Sequence, residues 1–187
     1  MEKKLASILT ELGIDLSDEN FRDTPKRIIR HWKEYIVSKE SIDRNIREFA
    51  KSRFPSNNRE MVIMSGIKAP SLCPHHLVSV LYDVNIGYIP EKFVVGLSKL
   101  ARIAVSLAKR PLLQETYTET LATIIFDELE CLGSIAVVRG LHMCILARGI
   151  RQNSVVTTSS VKGVFMEQPH AKAEFLELLK LNQGWHI

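Results

Sequence analysis

Residues 78–90 constrain the fold most. Val78, Val80, Tyr82, Val84, Ile86 and Tyr88 alternate strictly with a more polar set until Pro90 stops the run. Side chains of period two leave opposite faces of an extended chain, so this run predicts a long, half-buried antiparallel strand with one face against a core. The helices that follow supply that core. Ser98, a natural N-cap, opens one with Leu100, Ile103, Ala104 and Leu107 inward, ending near Pro111. A second runs from about Thr116 to Gly133 with Leu121, Ile124, Ile125 and Leu129 inward, and Cys131 falls on its hydrophobic side. Strand-like segments stand at Met61–Met64, Ser134–Val138, Leu141–Leu146 and about Val155–Phe165, and a last helix at about Ala171–Leu181. Strands, two helices, then strands, without the regular alternation of a parallel sheet, predict an α+β domain whose helices cover one face of an antiparallel sheet.

The first 58 residues read differently. Leu5, Ile8, Leu9 and Leu12 form one helical face, a polar turn occupies Asp15–Asn20, and Thr24 and Pro25 mark the N-cap and first turn of a second helix. On that helix Ile28, Ile29, Trp32 and Ile36 make an apolar stripe, while Arg27 and Arg30 share another face. Such a pair is by default a solvated basic face. Lys39–Asn58 reads as a polar linker ending in the turn cluster Pro55-Ser56-Asn57-Asn58. The organisation is thus a helical arm and linker over 1–58 and a main domain over 59–187. A length of 187 residues suits one core with a small appendage, and 45% hydrophobic with 25% charged residues excludes disordered and fibrous classes. Three cysteines, an odd number without a regular framework, argue against a secreted disulfide scaffold and for a reducing cytoplasm. No apolar run reaches membrane-spanning length, so no membrane partner is expected.

The chemistry concentrates in two places. Cys73-Pro74-His75-His76 puts a thiol and an imidazole at a separation that lets both face one ion across a tight turn, and that is a donor set zinc favours. In Leu141–Arg148, residues His142, Cys144, Leu146 and Arg148 are spaced by twos, so a strand there would send a histidine, a thiol and an arginine to one side. If that strand lies beside the Cys73 turn, Cys144 becomes a third ligand. Three protein ligands with a fourth position open is the catalytic pattern of zinc, whereas structural sites close with four. His75 and His142 are then left as proton carriers. Cys131 is read as a small buried hydrophobe.

Together these blocks resemble GTP cyclohydrolase I, from the Asp23-Thr24-Pro25-x-Arg27 helix to Ala173-Glu174-Phe175-Leu176. In between stand Glu60-Met61-Val62, Cys73-x-His75-His76, Gly96-Leu97-Ser98-Lys99-Leu100-Ala101-Arg102, Arg110-Pro111-x-x-Gln114-Glu115 and His142-x-Cys144 with Arg148-Gly149. The resemblance implies a tunnelling fold, assembly into rings and usually a decamer with active sites at subunit interfaces, and conversion of GTP to dihydroneopterin triphosphate and formate. It implies a Zn²⁺ held by Cys73, His76 and Cys144. Glu115 would anchor guanine, Gln114 would be a second substrate-binding residue beside it, and Lys99, Arg102 and Arg148 would bind the triphosphate. Arg27 and Arg30 would reach in from a neighbouring subunit, Arg30 standing where the family usually has Lys. His142 would protonate the opening imidazole ring, and His75 and Ser98 would serve the later proton transfers.

One position departs from the pattern. Members of that family typically read Cys-Glu-His-His, and this chain has Pro74 in place of the carboxylate. A full cyclohydrolase that tolerates the change is the first expectation. A divergent enzyme that stops at the formamide or after formate release, or takes another purine nucleotide, is the alternative. A nitrile reductase of the same fold would use a nucleophilic cysteine and NADPH and would not need both blocks. A zinc module binding nucleic acid fits the net charge of +4 but lacks a reading motif, so no nucleic-acid partner is expected.

Overall fold

A computed structural model describes residues 1–181 and divides the chain into two compact units, Met1–Val37 and Ser38–Ile187. The first unit is a helical pair, α1 (Glu2–Glu11) and α2 (Thr24–Tyr35). Between them Asp15 Oδ1 accepts from the Ser17 amide and Asp18 Oδ1 from the Asn20 amide, each at 2.8 Å, which closes the polar turns. Thr24 does not cap α2 as expected. Asp23 takes the N-cap position without a side-chain bond, and Pro25 sits in the first turn, where a missing N–H leaves no bond unmade. Arg27 and Arg30 lie exposed on this helix.

The second unit begins with a correction. The segment 39–58 is no linker: it holds α3 (Lys39–Ala50), whose start is capped by the Ser38 hydroxyl accepting from the Ser41 amide at 3.3 Å. Ile42, Ile46 and Ala50 recur every four residues and are buried, so this charged sequence still offers a continuous apolar stripe. After it, β1 (Arg53–Pro55) pairs antiparallel with β4 (Phe93–Val95) in a small two-stranded sheet.

The main sheet runs β2 (Val62–Leu72), β3 (Ser79–Ile89), β5 (Gly133–His142), β6 (Val155–Gly163), in that spatial order and antiparallel throughout. The alternating run is β3, with Val80, Tyr82, Val84, Ile86 and Tyr88 buried. That face receives α4 (Leu97–Ala108), through Leu100, Ile103, Ala104 and Leu107, and α5 (Gln114–Leu129), through Tyr117, Leu121 and Ile125. Tyr82 stacks on Tyr117 with ring centroids 4.8 Å apart, and the Tyr117 hydroxyl donates to the Ala104 carbonyl at 2.9 Å, tying sheet and both helices together. A four-stranded antiparallel sheet with two helices on one face is the α+β layout expected of the tunnelling fold. Among the described residues, no helix is long and apolar enough to cross a membrane.

Several local expectations change. Gly96, not Ser98, is the N-cap of α4, leaving Ser98 exposed in the first turn. Helix α5 ends at Leu129 with Glu130 left-handed at φ 49°, so Cys131 lies in the following turn rather than on the helix. It is buried, its thiol donates to the Gly133 carbonyl at 3.3 Å, and burial pushes it up to about 11. The two strands expected at 134–138 and 141–146 are one strand, β5, followed by the short helix α6 (Met143–Leu146). Pairing ends at Val80↔His142 on one side and Leu141↔Val155 on the other, so residues 143–146 have no neighbouring strand and turn helical. Strand β6 likewise stops at Gly163 and gives way to α7 (Val164–Glu167).

Strand β2 carries a bulge between Met64 and Ile67, where Gly66 at φ +72° donates to Asn85 Oδ1 at 3.0 Å. The extra residue switches faces. Met61 and Ile63 pack on the side opposite α4, and Ile67, Ala69 and Ser71 are buried after it. That opposite side is covered by α8 (Pro169–Leu181), which seats Ala171 and Phe175 on Ile135 and Phe165. Gly87 makes room: a Cβ there would lie 2.7 Å from the Phe175 ring. Phe175 is fully buried, so Phe175→Ala is expected to cost about 3–5 kcal/mol, read as a lowered thermal midpoint by circular dichroism.

Candidate active site

The connection between β2 and β3 carries Cys73-Pro74-His75-His76. It is a tight turn: the Leu77 amide donates to the Cys73 carbonyl at 2.8 Å and the Cys73 amide to the Val78 carbonyl at 2.9 Å. Leu77 adopts φ +50°, a conformation costly for a branched residue and held by these two bonds. Pro74 lies exposed in the turn. Because β5 pairs with β3 up to Val80↔His142, the chain leaves β5 beside this turn, and α6 brings Cys144 to it.

The donor atoms of Cys73, His76 and Cys144 all lie within 4.8 Å of one another. Cys73 Sγ is 3.7 Å from His76 Nδ1 and 4.0 Å from His75 Nδ1, but of the two histidines only His76 groups with Cys144 as well. Tetrahedral zinc, with Zn–S near 2.3 Å and Zn–N near 2.0 Å, needs donors roughly 3.5–3.8 Å apart. Two thiols and an imidazole at these separations fit one zinc ion. Burial and the adjacent Cys73 thiol push the Cys144 thiol up, with Arg148 pulling the other way. Two thiols this close ionise together only when a cation shares their charge, so the same crowding favours a metal. The Arg148 guanidinium reaches His76 Nε2.

The other expected residues surround this cluster unevenly. His142, the last residue of β5, is part-buried, with Nε2 2.7 Å from Gln114 Oε1 and its ring edge-on to Tyr82 at 6.2 Å. Burial holds its imidazole below the ordinary value, and the Glu115 carboxylate works against that. Tyr82, which the sequence offered only as a core residue, adjoins this ring, and burial foremost, then Cys73 and Glu115, push its hydroxyl up. Glu115 is exposed on the first turn of α5, one residue after the buried Gln114. Lys99 and Arg102 on α4 both lean on the Phe49 ring of α3, at 5.9 and 5.8 Å from its centroid. Phe49 was hidden in the supposed linker. Arg27 and Arg30 belong to the first unit.

Fold and site together define an α+β protein with a three-donor thiol–imidazole cluster able to hold a metal ion. The sequence profile of GTP cyclohydrolase I matches residues 1–180. The chain is 37% identical to the GTP cyclohydrolase 1 of Methylococcus capsulatus over 182 residues, 96% of each chain, and 38% identical to that of Bacillus subtilis over 182 residues, 96% of this chain and 94% of the relative. Among solved structures, the apo form of the archaeosine synthase QueF-Like aligns with a TM-score of 0.46 at 16% identity, covering 55% of this chain and 93% of that one. The chain belongs to the GTP cyclohydrolase I family and is an enzyme of that class.

Proposed function

We propose that this protein is a zinc-dependent GTP cyclohydrolase I that opens GTP at C8 and rearranges it to 7,8-dihydroneopterin triphosphate with release of formate. The observation that carries the reading is the convergence of Cys73, His76 and Cys144 in a chain of this family, three donors with no fourth grouped with them among the described residues. When bound there, zinc supplies a Lewis acid that makes water a nucleophile near neutral pH. The remaining roles fall to side chains. Glu115 accepts from the N–H groups of guanine; Lys99, Arg102 and Arg148 bind the triphosphate; Arg27 and Arg30 join them from a neighbouring subunit of a homodecamer. His142 gives a proton to the ring nitrogen as the imidazole opens, and His75 and Ser98 move protons in the later ribose rearrangement. The protein works in the cytoplasm, where its three free cysteines stay reduced. A nucleic-acid-binding zinc module and a nitrile reductase lose their support with membership of this family.

Pro74 keeps a second reading in view, a truncated reaction or another purine nucleotide. The turn bonds of Cys73 persist with proline in place, which favours the full reaction. Incubation of the purified protein with GTP, followed by mass and fluorescence, should yield the pterin and formate together. GTP consumed without the pterin, as the formamide or with formate released, establishes the truncated enzyme. GTP left unconsumed overturns both the full and the truncated reaction, and turnover of another purine nucleotide in its place establishes the remaining alternative.

A further inference from the structure

Behind His142 lies a closed hydrogen-bond network whose directions can all be assigned. Thr118 Oγ1 sits 2.7 Å from the Gln114 backbone carbonyl, which can only accept, so the Thr118 hydroxyl donates there. Thr158 Oγ1 is 2.6 Å from Thr118 Oγ1, and since the Thr118 proton is already used, Thr158 is the donor in that pair. Gln114 Nε2 then faces three acceptors: the Val138 carbonyl at 3.1 Å, the Val156 carbonyl at 3.0 Å and Thr158 Oγ1 at 3.1 Å. Flipping the amide would set its oxygen against two carbonyls, so the orientation is fixed by the strands rather than by choice. Gln114 is 3% exposed, and its whole amide is engaged inside the protein.

The consequence falls on His142. Gln114 Oε1 can only accept, and it lies 2.7 Å from His142 Nε2, so Nε2 carries a hydrogen whether the ring is neutral or charged. Gly140 shows that the space is built for this pair. A Cβ on it would lie 2.1 Å from Gln114 Oε1 and 3.0 Å from His142 Nε2. Glycine within a strand weakens the strand, and here it permits the close approach of the amide to the ring.

We propose that Gln114 is the positioning residue of His142, holding the ring with Nε2–H inward so that proton exchange with the substrate passes through Nδ1, and that it does not read guanine itself. The role of His142 as proton carrier rests on the function proposed above; the tautomer does not. Solid-state ¹⁵N NMR of protein labelled in its histidine rings reads it directly, with His142 assigned by the signals lost in His142→Phe. The wild-type neutral ring should show a protonated Nε2 and a bare Nδ1. A protonated Nδ1 overturns the proposal, and does so even if the protein turns over no GTP. In Gln114→Leu the tautomers should mix, and kcat should fall about 10²-fold with KM for GTP unchanged. A raised KM with kcat and tautomer unchanged would instead make Gln114 a guanine contact. Gly140→Ala displaces the same pair without altering either side chain; it should reproduce the kcat loss and the mixed tautomer, and an intact spectrum with full kcat in that variant also defeats the proposal.

Discussion

Cys144→Ala is expected to remove bound metal and turnover together while leaving the fold intact. Cys144 is only part-buried on the four-residue α6, outside the main sheet, so truncating it removes little packing. As one of three donors, its loss leaves two, below what zinc needs for tight binding. Even residues that merely orient metal ligands account for about 10- to 100-fold in affinity or activity, so deleting a ligand should lower turnover by at least about 10³-fold. Elemental analysis per chain, GTP turnover and circular dichroism on the same preparation check it. Cys131→Ala is the matched control: its buried, inert thiol serves packing and a bond to Gly133, so stability should fall while metal and turnover stay. Turnover that survives loss of metal would remove the ligand assignment altogether.

The cysteine was found in the sequence for a reason the fold does not honour. Spacing by twos put His142, Cys144 and Arg148 on one face of a strand, whereas the strand ends at His142 and Cys144 projects from a helical turn. Four consecutive apolar residues do not distinguish the two states. What decides is the end of pairing on both sides of β5, and that depends on Val80, 62 residues before His142, and on Val155 beyond the following loop. Strand β3 was legible because its period continues unbroken between Val80 and Tyr88; β2 was legible only at its start, because the bulge at Gly66 reverses the alternation midway. Helix α3 was missed through composition, since Ile42, Ile46, Phe49 and Ala50 are embedded among charges that resemble a linker. With it went Phe49 beneath Lys99 and Arg102. The Gln114 network joins α5, β5 and β6, and Gly140, which falls between the two strands expected from the sequence, gave no sign of the close approach there.

Glu115→Ala should separate recognition from catalysis at the same centre. The carboxylate stands exposed on the first turn of α5, directly after the buried Gln114, so its removal disturbs no core packing and leaves Cys73, His76 and Cys144 in place. A carboxylate has two accepting oxygens and guanine presents two kinds of N–H on one edge, a match that alanine abolishes and glutamine halves. Loss of two charge-assisted bonds predicts kcat/KM for GTP lower by about 10²- to 10⁴-fold, with zinc content unchanged. Inosine triphosphate, which lacks the exocyclic amino group, sharpens the test. The native enzyme should prefer GTP over it, because one of the two bonds is missing and an accepting oxygen is left without its donor. In Glu115→Ala that preference should vanish, both nucleotides now being bound without the carboxylate. If the variant still prefers GTP, guanine is read elsewhere on the protein, and Glu115 acts only through its charge beside His142 and Tyr82.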